Sequence, residues 1–337
     1  KLTKIMKISL FKKNKYQQLL SAIKQADSIL LFTHVNPDGD ALGTLLAAYL
    51  VLKVYQKPLY PIILESVKHD LDFLPCVEEL IHLEQLPKNL DLDKALAIAV
   101  DAADIERLGA AKTLYKKTGT TAQLDHHGTN NAYADINYIE SDACSTAIIL
   151  YDFIKQNGLV LNSDIASNLY AGISTDTGNF AFTNTNVRAF EAMVDLCRQN
   201  FPLSDLNYLL FRRKQVAQQR ILARALNNLS LFASNRAAYV FVTKDDLLAT
   251  GADNEHTTTI VNNVVEIEGV EIAFFIHEGK DGNVRCSFRS KPGHRVDEIA
   301  GQFGGGGHLY ASGSNINMSI NKAIPLLCAA VEKELKQ

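Results

Sequence analysis

Imidazole and carboxylate side chains recur near the ends of apolar runs in the first half of this 337-residue chain. Two divalent cations about 3.5–4 Å apart need several carboxylates, at least one of them bridging, together with neutral imidazoles that limit the negative charge. Oxygen and imidazole ligands of this kind favour Mn²⁺ or a similar ion over a metal that prefers thiolates. The candidate ligands are His34, Asp38, Asp40, Asp101, His126 and Asp176.

The first motif, His-Val-Asn-Pro-Asp-Gly-Asp at residues 34–40, also has ordinary structural explanations. Asp40 could cap the helix that follows it. Asp38-Gly39 could be a turn dipeptide, and Pro37 with Gly39 could bend the chain so that the polar side chains face one side. Taken one by one, these explanations stay open.

Two further motifs strengthen the functional interpretation. Asp125, His126 and His127 follow one another at a strand end where no capping role explains them. Asp176 closes a helical pattern and could be a simple loop residue, but Gly178 would permit a sharp reversal that turns Asp176 inward. The recurrence at separate strand ends favours one shared site over isolated turns.

Strand-like and helix-like segments alternate in this half, which is typical of βαβ units and a mainly parallel sheet. The predicted helix Ala41–Lys53 suits a buried position. In open parallel sheets ligands collect outside the carboxyl ends of the strands, which is where the polar motifs stand. The predicted strands are Ser28–Val35, Lys57–Leu64, Leu96–Val100 and Thr120–Leu124.

The second half begins with a sequence that reads as helical from about Thr185 to Phe232. Its basic residues are interpreted as the solvated face of a connecting helix. They are Arg212, Arg213, Lys214, Arg220 and Arg224. Strands then follow, with a hairpin turn at Asp281-Gly282 and a helix at Val296–Phe303. The predicted strands are Ala237–Val242, Val270–Ile276 and Asn283–Phe288.

These patterns predict an α/β protein: a mainly parallel N-terminal sheet domain, a smaller α/β C-terminal domain and an active-site cleft between them. The predicted boundaries are residues 1–190 for the first domain, 191–228 for a helical linker and 229–337 for the second domain. The length suffices for two domains that each bury a core.

Composition and charge narrow the class of protein. The chain is 47% hydrophobic and 21% charged. Its formal net charge of −3 argues against a protein that binds long nucleic acid through overall positive charge. Its five cysteines include no CxxC pair, so neither a disulfide framework nor a thiolate zinc site is indicated. No apolar run is long enough to span a membrane and the first ten residues lack the core of a signal peptide. We expect a cytoplasmic enzyme or binding protein.

The motifs together resemble those of the DHH phosphoesterase family. The resemblance rests on His34-x3-Asp38-x-Asp40, Asp101 after a strand, Asp125-His126-His127 and Thr175-Asp176-Thr177-Gly178. The C-terminal Gly304-Gly305-Gly306-Gly307-His308, with Ser287-Phe288-Arg289-Ser290 before it, resembles the DHH-associated domain that usually follows. The likeness covers roughly residues 25–320, and four ordered motifs make it specific.

The resemblance implies a role for each motif residue. One metal ion would be held by His34, Asp38 and Asp101. The other would be held by Asp40, Asp101, His126 and Asp176, with Asp101 as the bridge. The residues implied in catalysis are Asp101, Asp125 and His127. Asp125 would orient or tune a histidine, and His127 would contact the transition state or donate a proton to the leaving oxygen.

The glycine run and the arginine before it are the candidates for substrate binding. On composition alone the run could be a surface loop, or a close-approach loop whose backbone N–H groups meet a phosphate or base. It fits neither of the common nucleotide-binding glycine motifs, because no Lys and Ser/Thr follow it and it comes after a helix. The resemblance favours substrate contact by Arg289, Ser290, Gly305, Gly306 and His308, with Arg285 and Lys291 as neighbours.

The length and layout resemble the short bacterial oligoribonucleases of the family that also dephosphorylate 3′-phosphoadenosine-5′-phosphate (pAp). The resemblance therefore implies hydrolysis of short RNA and of pAp, two divalent ions, Mn²⁺ first and Mg²⁺ or Co²⁺ as alternatives, and no membrane partner, with a homodimer left open. The alternatives are a phosphodiesterase for cyclic or linear dinucleotides, such as c-di-AMP and pApA, and a nucleotide-binding protein without catalysis.

Overall fold

The chain divides into two compact units between Arg213 and Lys214. The structure, a computed structural model, describes residues 16–67, 69–279 and 283–336. The division falls inside the predicted linker of residues 191–228, whose limits stay a prediction. Each unit has its own sheet and its own buried apolar core.

The first unit is built on a five-stranded sheet in the order β2-β1-β3-β4-β5, and every pair of neighbours is parallel. The mainly parallel sheet predicted for this half is therefore confirmed. The predicted second strand is much shorter than expected, because it lies at the sheet edge and contains a proline that cannot donate to a ladder. The strands are β1 (Ser28–Phe32), β2 (Leu59–Pro61), β3 (Ala95–Val100), β4 (Thr120–Asp125) and β5 (Ile136–Ile139).

Helices cover this sheet. Helix α2 is apolar on nearly all sides, as expected for a helix buried between a sheet and a second helix. It approaches α5 so closely that a Cβ atom added at Gly43 would lie 2.4 Å from the Asn168 carbonyl oxygen. The helices are α1 (residues 16–25), α2 (Gly39–Leu52), α3 (Lys112–Lys117), α4 (Thr146–Gln156), α5 (Ser163–Asp176), α6 (Val187–Cys197) and α7 (Leu203–Asn207).

The prediction of helix from about Thr185 to Phe232 is wrong in detail. The chain is helical in α6 and α7, continues through a π-helical turn at Tyr208–Arg212, breaks, and resumes as α8 (Val216–Asn227). Residues 230–232 form a strand, β6 (Ser230–Phe232), which pairs with the next strand of the second unit. The residue types of this stretch did not predict a strand, because the strand forms only through its pairing with a neighbouring strand.

The second unit is a six-stranded sheet in the order β10-β11-β9-β8-β7-β6, parallel only between β7 and β8. The predicted β8–β9 hairpin is antiparallel as expected; its turn, Asp281-Gly282, lies outside the described residues. The remaining strands are β7 (Ala237–Val242), β8 (Ile272–Glu278), β9 (Val284–Ser290), β10 (Gly306–His308) and β11 (Ala311–Ile316). The remaining helices are α9 (Lys244–Thr250), α10 (Ile260–Val265), α11 (Val296–Gln302) and α12 (Ile320–Glu334). Within the described ranges, no helix is both long and apolar enough to cross a bilayer.

The surface-loop interpretation of the glycine run is wrong for its last three residues. Gly306–His308 form the edge strand β10, paired with β11. The N–H groups of Gly304 and Gly305 donate to the carbonyls of Gly301 and Ala300, 3.1 and 2.9 Å away, and so close the end of α11. Those two donors are therefore committed to the helix end.

Candidate metal centre and substrate face

The carboxyl ends of the central strands bring the predicted ligands of the first unit together. The parallel strands end at the same edge of the sheet, and the polar residues follow within a few positions. Helix α5 reaches the same edge with Asp176, its last residue, and the left-handed φ of 56° at Gly178 allows the chain to turn away just after it. The residues brought together are His34, Asp38, Asp40, Asp101, His126, His127 and Asp176.

Asp101 occupies the centre of this cluster. Its Oδ2 lies 3.6 Å from Nε2 of His34, and its Oδ1 lies 3.6 Å from Nε2 of His126. The residue adopts a φ of 57°, a left-handed conformation that is uncommon for residues other than glycine and that aspartate tolerates better than most. Thr146 donates from Oγ1 to Oδ1 over 2.9 Å and helps to hold the carboxylate. One carboxylate thus presents a different oxygen to each of two imidazoles.

The first group of donors consists of His34, Asp38 and Asp101. Nδ1 of His34 lies 2.7 Å from the carbonyl oxygen of Val35, a contact that it makes as a donor, so the lone pair is on Nε2. Nη2 of Arg107 lies 3.1 Å from the same Nδ1. Because the shorter carbonyl contact claims the Nδ1 proton, Arg107 serves as a neighbouring positive charge rather than as a donor to this nitrogen.

Asp38 has two tasks, one for each oxygen. Its Oδ1 accepts from the N–H groups of Asp40 and Ala41, each over 3.1 Å, and caps α2. Its Oδ2 faces Nε2 of His34 at 3.9 Å. The proposed cap at Asp40 is therefore wrong: Asp40 lies inside the first turn. Glycine is needed at position 39 for close packing against Thr175, since a Cβ atom there would lie 2.4 Å from Oγ1 of Thr175.

The second group of donors consists of Asp40, His126 and Asp176. Nε2 of His126 lies 3.1 Å from Oδ2 of Asp176 and 4.0 Å from Oδ2 of Asp40. The Asp40 side chain is fully buried and accepts from the N–H groups of Thr146 and Ala147, at 2.6 and 2.9 Å. Those two N–H groups open helix α4, so a helix N-terminus faces this carboxylate and favours its negative charge.

The crowding of carboxylates shapes the electrostatics of the cluster. Burial, together with the charges of Asp101 and Asp176, raises the pKa of Asp40 well above its usual range. Burial alone would lower the pKa of His126, but the bond to Asp176 and the surrounding carboxylates raise it to about 10. Burial would raise the pKa of Asp101, yet its bond to His34 and the neighbouring imidazoles hold it below its usual value. The cluster therefore attracts positive charge strongly.

The donor set fits divalent cations. Among the described residues, the partners that pair with these carboxylates are imidazoles, and no lysine or arginine neutralises them. Crowded, largely buried carboxylates that only imidazoles compensate are costly, so divalent cations would stabilise the arrangement. Carboxylate oxygens with two imidazole nitrogens suit ions such as Mn²⁺ or Mg²⁺. The candidate ligands found from the sequence are thus together in space.

Asp125 holds the His127 ring in place through a hydrogen bond. Oδ1 of Asp125 lies 2.8 Å from Nδ1 of His127, and Oδ2 accepts from Nδ2 of Asn130 over 2.6 Å. The Asp125 side chain is fully buried at the end of β4. This contact fixes the His127 ring and leaves Nε2 as the nitrogen that faces outward from the pair.

Three residues around the cluster were not identified from the sequence: Arg107, Asn130 and Thr146. Thr146 starts α4 directly after its N-cap Ser145, and that Ser-Thr pair before an apolar run was a readable helix-start signal. Arg107 and Asn130 lie in connecting segments, where no periodic pattern marks them. Their positions depend on how the chain returns to the sheet edge.

The second unit brings some of the predicted substrate residues onto one face of its sheet. Directly paired residues of neighbouring strands point to the same side. The pairs His308 with Ala311 and Ala311 with Arg289 therefore place His308 and Arg289 on one face, with a small residue between them. Gly306 belongs to the same face through its pairing with Gly313.

Ser290 and Gly305 are placed differently. Ser290 alternates to the opposite face, where its Oγ donates to the His294 carbonyl over 2.9 Å. A Cβ atom at Gly305 would lie 2.1 Å from the Gly313 carbonyl oxygen, so glycine is needed there for the approach of β11. The structure thus does not bring the Ser290 side chain together with Arg289 and His308.

The fold and the site define a phosphoesterase of the DHH type: a parallel sheet with a carboxylate–imidazole cluster at its strand ends, followed by a second unit with a mixed sheet. The model of the DHH family N-terminal domain matches residues 28–173, and that of the DHHA1 domain matches residues 234–337. The chain belongs to the DHH family, and it is a hydrolase.

Individual relatives agree with this assignment. The chain is 30% identical over 303 residues to the bifunctional oligoribonuclease and PAP phosphatase NrnA of Bacillus subtilis, covering 89% of this chain and 92% of that protein. An exopolyphosphatase-related protein from Bacteroides fragilis superposes with a TM-score of 0.88 at 21% identity, covering 95% and 96% of the two chains. RecJ of Thermus thermophilus in complex with Mn²⁺ gives 0.53 at 13% identity, covering 96% of this chain and 54% of that one. The last two show the fold.

Substitution of Asp125 tests its positioning role. Asp125→Asn is expected to lower kcat by about 10- to 100-fold, because an amide cannot hold His127 and accept from Asn130 as the carboxylate does. The KM should change by much less, since Asp125 is buried beneath the ring. Steady-state kinetics with a generic phosphodiester, bis-p-nitrophenyl phosphate, would measure both constants. Asp142→Asn, at an exposed carboxylate of the same unit, is the matched control; equal kcat values for the two variants would contradict the prediction.

Proposed function

We propose that the chain hydrolyses short RNA to mononucleotides and removes a phosphate from pAp to give AMP, with two divalent cations. The observation that carries the proposal is the position of Asp101, which turns one oxygen to each of two imidazole–carboxylate groups. The substrates follow from the Bacillus subtilis relative, whose name states oligoribonuclease and PAP phosphatase activity.

The first cation would be held by His34, Asp38 and Asp101, and the second by Asp40, Asp101, His126 and Asp176. When bound, such a pair activates a water molecule for attack on phosphorus and neutralises charge on the leaving oxygen. Mn²⁺ suits the mixed oxygen and nitrogen donors, with Mg²⁺ and Co²⁺ as alternatives. The binding of Mn²⁺ by RecJ, which has a related fold, is consistent with this choice.

The side chains around the cations have definable tasks in this proposal. The carbonyl of Val35 holds the Nδ1 proton of His34 and keeps the Nε2 lone pair directed at the cluster. Asp125 holds His127 at Nδ1, so that Nε2 is the nitrogen that contacts the phosphate or gives a proton to its leaving oxygen. Asp125 and Thr146 are positioning residues, since each acts through another side chain.

The second unit would bind the rest of the nucleotide. Arg289 and His308 share one face of its sheet, and a guanidinium can donate two parallel hydrogen bonds to a phosphate. Burial lowers the pKa of Arg289, and the group stays a cation because the ordinary pKa of arginine is so high. Gly306 adjoins them, and a Cβ atom there would meet nothing within 4 Å.

A substrate panel tests the proposal. With Mn²⁺ present, we expect a 5′-end-labelled RNA pentanucleotide and a dinucleotide to yield mononucleotides, and pAp to yield AMP and phosphate, resolved by anion-exchange chromatography. Hydrolysis of c-di-AMP or pApA, with no action on RNA or pAp, would instead make the chain a dinucleotide phosphodiesterase. Binding of pAp without turnover of any substrate would make it a nucleotide-binding protein.

A further inference from the structure

A third row of polar side chains crosses the same face of the second sheet, four residues along β9 from the row that holds Arg289 and His308. His277 of β8 is paired with Arg285 of β9, and Arg285 is paired with Asn315 of β11. Because alternate residues of a strand share a face, Arg285 and Arg289 point to the same side. The row is therefore an extension of the face already described.

The middle of this face is open. Between the two rows, Ser287 of β9 is paired with Gly313, and Gly313 with Gly306. A Cβ atom at Gly306 would meet nothing within 4 Å, and one at Gly313 would meet only the Cys286 carbonyl oxygen, at 3.1 Å. On β9, β11 and β10 small residues thus separate the two rows, and a ligand chain can lie against the backbone there, whereas on β8 the buried Phe275 occupies the middle row.

Arg285 is available to a ligand. Its side chain and that of Asn315 are exposed. Among the described residues, no carboxylate forms an ion pair with the Arg285 guanidinium, whereas Arg236 of the same unit is paired with Glu271 at 2.7 Å. An exposed arginine without a carboxylate, next to an amide, presents donors that suit a phosphate oxygen.

His277 supplies an independent sign of a ligand. Its side chain is only 7% exposed, and its Nδ1 has no hydrogen-bond partner among the described residues. Its ring stacks on that of Phe275, with centroids 5.5 Å apart and planes 16° apart. Burial and the charge of Arg285 lower the pKa of His277, so the ring is neutral near pH 7. A buried polar atom left without a partner is unusual and calls for one.

We propose that His277, Arg285 and Asn315 form a second subsite that binds a further phosphate of an oligonucleotide, separate from the nucleotide held by Arg289 and His308. Same-face residues of a strand are about 6.6 Å apart, so Arg285 lies about 13 Å from Arg289 along β9. That distance suits two successive steps along an extended nucleic-acid strand. The subsite would therefore be filled by RNA of three or more nucleotides and left empty by pAp. The inference rests on the proposed function, since it assigns a length preference to the same substrates.

Substitution of Arg285 tests the subsite through the ratio of two substrates. In Arg285→Ala, the kcat/KM for an RNA pentanucleotide divided by that for pAp is expected to fall about tenfold, as expected for the loss of one charge-assisted hydrogen-bonded contact. The loss should appear in the KM for RNA. Arg285→Lys, which keeps the charge, should recover part of it. Asn315→Asp, which places a negative charge beside the arginine, should lower the same ratio.

Binding provides a second readout that needs no turnover. Fluorescence anisotropy of a labelled pentanucleotide, measured in excess chelator over a series of salt concentrations, gives the slope of log K against log salt. Removal of one phosphate contact on a single strand should make this slope less steep by about 0.7. Arg224→Ala, at an exposed arginine of α8 in the same unit, is the matched control and should leave the slope as it is.

The outcomes separate the subsite from the proposed function. An unchanged substrate ratio and an unchanged salt slope in Arg285→Ala would overturn the subsite, as would an equal loss on pAp and on RNA. If the wild-type protein cleaves no RNA and no pAp, the proposed function fails, and the salt slope for the pentanucleotide still decides whether Arg285 binds a phosphate.

Discussion

Asp101→Asn is expected to lower kcat on pAp and on short RNA by about 10³-fold, which corresponds to about 4 kcal/mol of transition-state stabilisation. The physical reason is the position of the residue between the two donor groups, where its oxygens lie 3.6 Å from Nε2 of His34 and 3.6 Å from Nε2 of His126. An asparagine retains one oxygen but turns an amide NH₂ to the other side, so one of the two donor groups would lose the oxygen that it shares with the other. Steady-state kinetics with Mn²⁺ would measure the effect.

The fold itself should tolerate this substitution. Asparagine has nearly the same shape, and its oxygen can still accept the hydrogen bond from Thr146. Circular dichroism and thermal unfolding in the absence of divalent ions would verify that the variant is folded. Asp142→Asn, at an exposed carboxylate, provides the control for the chemical change. Turnover by Asp101→Asn within a few-fold of wild type would refute the central position assigned to Asp101.

Removal of divalent cations is expected to abolish turnover and to lower the thermal stability of the first unit. Asp40, Asp101 and Asp176 repel one another in a buried cluster, and burial with this repulsion raises the pKa of Asp40 and of Asp176. A cation that binds only the folded state stabilises it by about 2.7 kcal/mol at a concentration 100 times its dissociation constant. Differential scanning calorimetry with chelator, and then with added Mn²⁺, would show the midpoint rise, and activity should return with the metal.

Two comparisons make this result specific. In Asp101→Asn the rise in the midpoint on adding Mn²⁺ should be much smaller than in the wild type, because the shared ligand is lost. In Asp142→Asn it should equal that of the wild type. Full activity in exhaustively chelated protein, or a midpoint that does not respond to Mn²⁺ or Mg²⁺, would show that the cluster does not serve as a cation site.

Much of the first unit was predictable because its signals are local. Buried parallel strands appear as short apolar runs, and β1, β3 and β4 all begin or end within a few residues of their predicted limits. Polar residues directly after such runs must lie at one edge of a parallel sheet, so Asp101, Asp125 and His126 can be grouped from the sequence alone. Strand β5 was missed, because Ile136–Ile139 is too short and too mixed in polarity to stand out.

The sequence by itself determined the alternating α/β architecture, the family, and the set of imidazoles and carboxylates that meet at the sheet edge. Only the tertiary structure decided how each oxygen is used. Asp38 caps α2 with one oxygen and faces His34 with the other, and Asp101 divides its oxygens between two imidazoles. The contacts of Asp38 are local, but those of Asp101 are made with residues far away in the chain, such as His34 and Thr146, and no local pattern encodes them.

The second unit shows the same limit through strand register. The sequence grouped Arg289 with Ser290, yet adjacent residues of a strand point to opposite faces, and of these two only Arg289 shares a face with His308. The glycine run could not be recognised as an edge strand, since glycine has no strand preference and its pairing with β11 is a tertiary contact. Register with a neighbouring strand, which also aligns His277, Arg285 and Asn315, is therefore what the sequence left open and the fold decided.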